Sequence, residues 1–428
     1  MVQVFGYFGR TVNHKRPGGV PFPLPTVTRK SPCHYKESPM ITRHASAILA
    51  FALCLVTFAV NLQAPLYTAY AALSGQGAAA TAVAFSGYVV GVLPVLLLLG
   101  GLADRVGHKP LIIAALCLSM LATVLTMLAP GLTTLAFART LLGVGTALAS
   151  ATGTAYMGEL MRNGDNRAAA NRVTASTSLG FGLGAAVTSL FLLQGPTLVP
   201  GSFALHLGLA LVALLAVLGL PDPGVRRQTA LLRLPFYPTG SLPYGLAILL
   251  AWGCVGLVIA LMPSILARHQ LANWSGMSTF CVISCGLLFQ PLARRMTPAR
   301  STGLGLLVLP CSYALLAWGA HSGTLPAVLL GAIGASSACY GFIYLGGLSA
   351  VNALARTEKT RASAGFFLLA YLGFSLPVIF TGLLADRFGA GTALTLFGAL
   401  LLVGCLVVAG ALLRSSRNAA VQAMLAVK

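Results

Sequence analysis

The sequence predicts an all-α polytopic membrane protein of twelve transmembrane helices arranged as two six-helix pseudo-repeats. Three observations predict this. The chain is 57% hydrophobic and only 8% charged, where soluble domains carry about 25% charged residues. The apolar residues gather in runs of about twenty, the length at which a helix crosses the hydrocarbon core. Lysine and arginine collect in alternate loops, the asymmetry that orients membrane helices.

The first six helices are expected near Ser46–Tyr70, Thr81–Leu99, Pro110–Leu128, Thr133–Tyr156, Ala169–Leu193 and Phe203–Leu220. The next six are expected near Leu242–Leu266, Ser275–Leu292, Gly303–Gly319, Leu325–Ala350, Ala362–Ala385 and Ala390–Leu413. The domain organisation follows: a basic, disordered N-terminal tail (1–40), a six-helix bundle (41–220), a cytoplasmic linker (221–241), a second bundle (242–413) and a short tail (414–428). With the N-terminus inside, the inner loops hold Arg105, Lys109, Arg162, Arg167, Arg172, Arg226, Arg227, Arg233, Arg294, Arg295, Arg300, Arg356, Lys359 and Arg361. The outer loops hold only Arg268 and Arg387. Both termini are therefore expected in the cytoplasm; the short loops, with no large soluble domain inserted, give the further expectation of a bacterial inner-membrane protein. The halves repeat: Leu102-Ala103-Asp104-Arg105 recurs as Leu292-Ala293-Arg294-Arg295, and Leu179-Gly180-Phe181 recurs as Leu372-Gly373-Phe374 at nearly the same separation.

The net charge of +20 raises nucleic acid as a partner, but the basic residues are scattered over many short loops instead of one stripe, so none is expected. Eight of the nine cysteines lie in apolar runs, Cys33 excepted, and no pair has metal-site spacing with histidines. No phosphate-binding Gly-x4-Gly-Lys-Ser/Thr stretch and no cluster of acids, histidines and a nucleophile occurs. An enzyme, a cofactor or an ATP motor within the chain is therefore not expected.

The charged turn Gly100-Gly-Leu102-Ala-Asp104-Arg105-Val-Gly107-His108-Lys109 lies between two uncharged apolar runs, so it belongs at a membrane face. It resembles the signature turn between the second and third helices of major facilitator superfamily transporters, with His108 in place of a usual cation. The resemblance covers about residues 41–417. It implies alternating access without covalent chemistry, a central solute cavity between two halves, and a monomer in lipid. It also implies a gating role for the turn, in which Asp104 bridges to the start of the eleventh helix, near Arg361 to Gly365. The second copy has Arg294 at the matching position.

Arg139 sits two turns into the fourth helix, where a cation is costly unless it faces a cavity or a partner. Arg139, Gly143 and Gly145 resemble the family's Arg-x-x-x-Gly-x-Gly pattern, which implies substrate or proton handling. Asn61, Gln63 and Tyr67 flank Pro65 on the first helix; Asn61 and Gln63 are at a depth to bond the guanidinium, meet solute, or tie helices together. Glu159 is placed to pair with Arg105 or Arg162. The fifth helix holds Ser176-Thr177-Ser178, Gly180 and Gly184, with Ala185 where family antiporters carry proline. Trp252, Tyr340, Tyr344, Phe366, Phe367 and Tyr371 are candidates to line a cavity. None of the seven acids falls deep in a span, and His206 is expected near the headgroups. The coupling ion, with the proton as a candidate, therefore stays open. The expected activity is export of an amphipathic or drug-like solute; uptake of a sugar-like or anionic metabolite is the alternative.

Overall fold

The computed structural model describes residues 39–99, 101–161, 165–222 and 234–426. The N-terminal tail to residue 38, Gly100, Arg162 and the linker arginines Arg226, Arg227 and Arg233 lie outside the described residues.

Twelve helices among the described residues are long and apolar enough to span a membrane. In order they are His44–Leu73, Ala78–Leu98, His108–Leu128, Leu132–Met161, Asn166–Leu192, Gly201–Leu218, Leu242–Ala267, Ala272–Ala293, Pro298–Ser322, Leu325–Leu354, Lys359–Phe388 and Ala390–Arg414. The twelfth runs on as helix to Ala426, past its expected end at Leu413. Odd and even connections alternate between two faces. One carries Lys109, Arg167, Arg294 and Arg361 and is called the basic face; the other carries Arg268 and Arg387 and is called the opposite face.

Burial sorts the helices into a centre and a rim. The seventh has 83% of its apolar window buried and the first 72%, against 28% for the twelfth and 33% for the sixth. The rim helices turn large apolar side chains such as Val212, Leu215 and Leu400 outward, as lipid-facing helices do.

Glycines set the closest helix approaches. A Cβ on Gly184 would lie 2.9 Å from the Phe58 carbonyl carbon, and one on Gly180 would lie 3.0 Å from that of Cys54. The fifth helix thus packs backbone to backbone on the first, a small-x-x-x-small contact. A Cβ on Gly143 would lie 3.0 Å from the Val92 nitrogen. Gly143 therefore packs between the second and fourth helices. Gly107, at φ 101°, and Gly389, at φ 85°, turn the chain between the second and third helices and between the eleventh and twelfth. Both conformations disfavour side chains.

Three of the central helices are interrupted. The first breaks at a 3-10 turn, Ala64–Leu66, which contains Pro65; proline supplies no amide hydrogen and interrupts the ladder. The eighth passes through a 3-10 stretch, Cys285–Phe289, before Pro291 in its final turn. The tenth opens into a π-helical stretch, Ser337–Ile343. Such wide turns occur often at functional sites, and this one carries Tyr340.

Candidate functional site

A central cavity lies between the first and last six helices. Val60, Asn61, Tyr88, Thr174, Thr177, Ser178 and Phe181 line it from the first half. Trp252, Ile259, Ile283, Gln290, Tyr340, Tyr344, Tyr371 and Phe374 line it from the second. No side chain in this lining is charged. The space open to the centre of a water-sized sphere is about 50 Å³, room for three or four waters at about 10–15 Å³ each. A drug-sized solute needs a pocket of about 300 Å³ or more, so in this conformation the two halves are nearly closed on each other.

The wall is largely aromatic. The Trp252 ring meets Tyr371 edge-on at 5.1 Å, Phe374 at 5.9 Å and Tyr340 at 6.2 Å between centroids. Four of the aromatic residues expected there, Trp252, Tyr340, Tyr344 and Tyr371, line the cavity. Phe367 instead packs on Tyr344 and Phe366, at 6.2 and 5.9 Å. Tyr88, Phe181, Phe374, Thr174 and Gln290 escaped the sequence reading.

Arg139 is fully buried, so it does not snorkel to the headgroups. Its Nη1 donates to the Val60 carbonyl at 2.8 Å and to the Tyr67 hydroxyl at 2.9 Å, and its Nε donates to the Phe85 carbonyl at 3.2 Å. Val60 lies just before the break at Pro65, where interrupted backbone is free to serve a buried donor. The guanidinium also lies over the rings of Phe85, at 4.5 Å, and Tyr88, at 5.2 Å. Cation–π contact gains strength where water is excluded. Phe85 and Tyr88 in turn pack on Phe374, at 4.8 and 6.1 Å. Arg139 therefore stands behind an aromatic wall and braces it; it is not among the lining residues.

This corrects the expected pairing. Asn61 donates from Nδ2 to the Phe181 carbonyl at 2.9 Å, and neither amide atom of the buried Gln63 has a protein partner. Tyr67 is the side chain that meets the cation. The geometric reason is the break itself, which turns Tyr67 towards the fourth helix and leaves Asn61 to the fifth. His206 is also relocated: it is fully buried, stacks on Phe58 at 5.9 Å, and has Nδ1 3.1 Å from the Thr123 hydroxyl.

On the basic face the signature turn knits together the first half. Asp104 is half-buried in the short helix Leu102–Val106. Lys109 donates to the carbonyls of Leu218 and Leu220 at 2.7 and 2.8 Å, capping the sixth helix, where a cation suits the negative helix end. His108 meets Thr152 at 2.8 Å and Glu159 at 3.3 Å. Glu159 thus meets His108, a residue on the turn; Arg162, one of its expected partners, lies outside the described residues. The start of the eleventh helix is held by the segment ahead of the seventh: Phe236 N donates to the Arg361 carbonyl at 3.1 Å, and Arg361 Nε donates to the Leu234 carbonyl at 3.1 Å. Across the seam, partial burial draws the Arg294 guanidinium below its ordinary range, and the like charge of Arg167 adds to this.

On the opposite face the hydrogen bonds cross between halves. The Asp386 carboxylate, at the end of the eleventh helix, accepts from Ala78 N at 2.7 Å and Ala79 N at 2.9 Å, at the start of the second. A carboxylate there satisfies free amides and meets the positive helix end. Asn273 donates to the Leu192 carbonyl at 3.1 Å, and Gly276 N donates to Ser189 Oγ at 2.9 Å. Nearer the middle, Ser284 donates to the Ser178 carbonyl at 2.7 Å. The opposite face is thus tied from half to half. The cavity lining reaches in the other direction, to Thr174 and Gln290 near the basic ends of the fifth and eighth helices.

Comparison with known proteins agrees with this architecture. The family model described as Major Facilitator Superfamily matches residues 49–367. No curated protein sequence matches the chain. Among solved structures, a mutant form of the nucleoside transporter NupG superposes with a TM-score of 0.69 at 13% identity, over 87% of this chain and 99% of that one. A D-xylose-proton symporter gives 0.64 at 17% identity, over 87% and 97%. The human organic anion transporter MFSD10 gives 0.58 at 17% identity, over 86% and 99%. At these identities the likenesses show a shared fold. With a family match across most of its length and twelve spans around a central cavity, the chain is an integral membrane protein of the Major Facilitator Superfamily.

Proposed function

We propose that the chain is a secondary transporter, not an enzyme, that moves a small amphipathic organic solute by alternating access through the central cavity. One observation carries this reading. A cavity lined by both halves lies beneath a seam whose hydrogen bonds run between them, so rocking the halves breaks Asp386 from the second helix and admits solute from the opposite face. On this reading Asp104 performs the reciprocal task on the basic face, clamping the start of the eleventh helix when that side closes. The basic face is the cytoplasmic one by the charge asymmetry. Export is the proposed direction: amphipathic solutes enter through lipid unaided, so a carrier contributes most by removing them. The chain acts as a monomer in lipid.

Every acid among the described residues lies in a loop or in the last turn of a span. A relay of buried carboxylates is thus not part of the proposal. An imposed pH gradient is expected to leave flux unchanged. Acceleration that disappears in His206→Asn would assign proton coupling to His206 instead.

The test is counterflow in proteoliposomes with a panel of radiolabelled uracil, glucose, salicylate and tetraphenylphosphonium. Saturable counterflow of at least one probe is expected, and a disulfide between Ala79→Cys and Asp386→Cys should stop it until reduced. Non-saturating flux, or no flux of any probe, contradicts the proposal.

A further inference from the structure

The cavity combines two features that constrain its occupant. Its lining contains no charge; the nearby cation, Arg139, lies behind the wall, where Nε and Nη1 bond Phe85, Val60 and Tyr67 and Nη2 has no protein partner. Besides the Tyr88 hydroxyl, its lining carries four buried polar atoms with no protein partner: Asn61 Oδ1, Thr174 Oγ1, Trp252 Nε1 and the Tyr344 hydroxyl. These four residues are 2, 5, 4 and 3% exposed, respectively. Buried polar atoms are nearly always bonded, so a group of four around one space asks for a bonding partner.

The atoms differ in what they accept. An indole N–H only donates, so Trp252 needs an acceptor on the solute. With its Nδ2 held by the Phe181 carbonyl, Asn61 offers Oδ1, which only accepts and needs an N–H or O–H. Thr174 and Tyr344 serve either way. Trp252 and Tyr344 belong to the second half, Asn61 and Thr174 to the first. A bound solute therefore presents an acceptor to one half and a donor to the other. Between them stand the faces and edges of Trp252, Tyr371, Phe374 and Tyr340, which favour a flat ring over a saturated one.

We propose that the solute class is an uncharged, flat heterocycle with an amide-like edge, presenting a C=O or ring nitrogen to Trp252 and an N–H or O–H to Asn61. This rests on the transporter reading and sharpens its solute. Anions make no direct contact with Arg139, which is not among the lining residues and stands behind the rings of Phe85 and Tyr88. Cations find no carboxylate in the lining. In either case a charge would be desolvated without compensation.

Four related probes isolate the terms: uracil, 1,3-dimethyluracil (no donors), dihydrouracil (not flat) and orotate (anionic). Binding to the purified full chain is measured by equilibrium dialysis of the radiolabelled compounds, and transport by counterflow. Uracil is expected to bind best, with each of the other three weaker by about tenfold, the worth of one lost hydrogen bond or a comparable term. Trp252→Phe keeps an aromatic ring, though a smaller one, and removes the donor; it should cost about tenfold for uracil. Tyr344→Phe, a milder change, guards against misfolding at Trp252 and should weaken uracil by a smaller factor. Tighter binding of orotate than uracil, equal binding of all four, or binding of none overturns the proposed class. Saturable counterflow of glucose or salicylate alone would leave the transporter reading standing and remove the class. Uracil binding without counterflow would do the reverse.

Discussion

The two faces of the molecule are built differently. At the opposite face, Asp386, Asn273 and Ser189 tie one half to the other through short polar contacts at helix ends. At the basic face, Lys109, His108 and Glu159 tie parts of the first half to each other, and Arg294 faces the like charge of Arg167 across the seam. The difference teaches that a contact's role depends on what it joins. Bonds within a half stabilise a rigid body; bonds between halves choose which side is closed.

The contrast breaks most sharply at Gly276. A Cβ there would lie 2.6 Å from the Ala185 carbonyl carbon, so there is no room for a side chain while the seam is shut. Gly276→Leu should hold the opposite face open and abolish turnover. Accessibility of a cysteine introduced at Ser264 to a bulky maleimide checks it, with faster labelling expected.

A smaller effect is expected from Asp386→Asn. It keeps the shape and removes the charge that favours the helix end, at a cost of about 1 kcal/mol at an exposed site. That should shift the balance between open and closed about fivefold towards opposite-face opening. The same labelling measurement reads it, and unchanged labelling would mean that Asp386 does not hold the seam.

Lys109→Met sharpens the comparison from the other side. Losing the cap on the sixth helix should lower stability by about 1 kcal/mol. It should leave the labelling rate at residue 264 as in the wild type. Thermal unfolding in detergent measures the first; a changed labelling rate would contradict the within-half assignment. The smallest effect belongs to Arg294→Gln. Relieving an exposed like-charge contact is worth a few tenths of a kcal/mol. It should ease closure of the basic face slightly, seen as slower modification of a cysteine at Asn166.

The spans were legible in the sequence because a bilayer demands long apolar runs, and nothing soluble competes for that pattern. Arg139 was legible as a costly charge, and Trp252, Tyr340, Tyr344 and Tyr371 as large polar-tipped rings within apolar segments. Their partners were not. Whether Arg139 meets Asn61 or Tyr67 depends on how the chain turns at Pro65, and the proline marks the break without its direction. Tyr88 and Phe374 look like any other aromatic residue in a membrane helix until the two halves are packed. Asp386 reads as an ordinary loop acid, because its amide partners lie more than three hundred residues away in the chain. The one local hint of the cavity's polar edge was the cluster of hydroxyls around Ser176, Thr177 and Ser178.

The most direct test is distance measurement by electron–electron resonance in lipid nanodiscs, with one label pair at Gln76 and Ser264 and another at Asn166 and Met296. Going from wild type to Asp386→Asn, the first pair should move apart as the second moves together. If both pairs keep their distances, or both lengthen, the two faces do not alternate and the account fails.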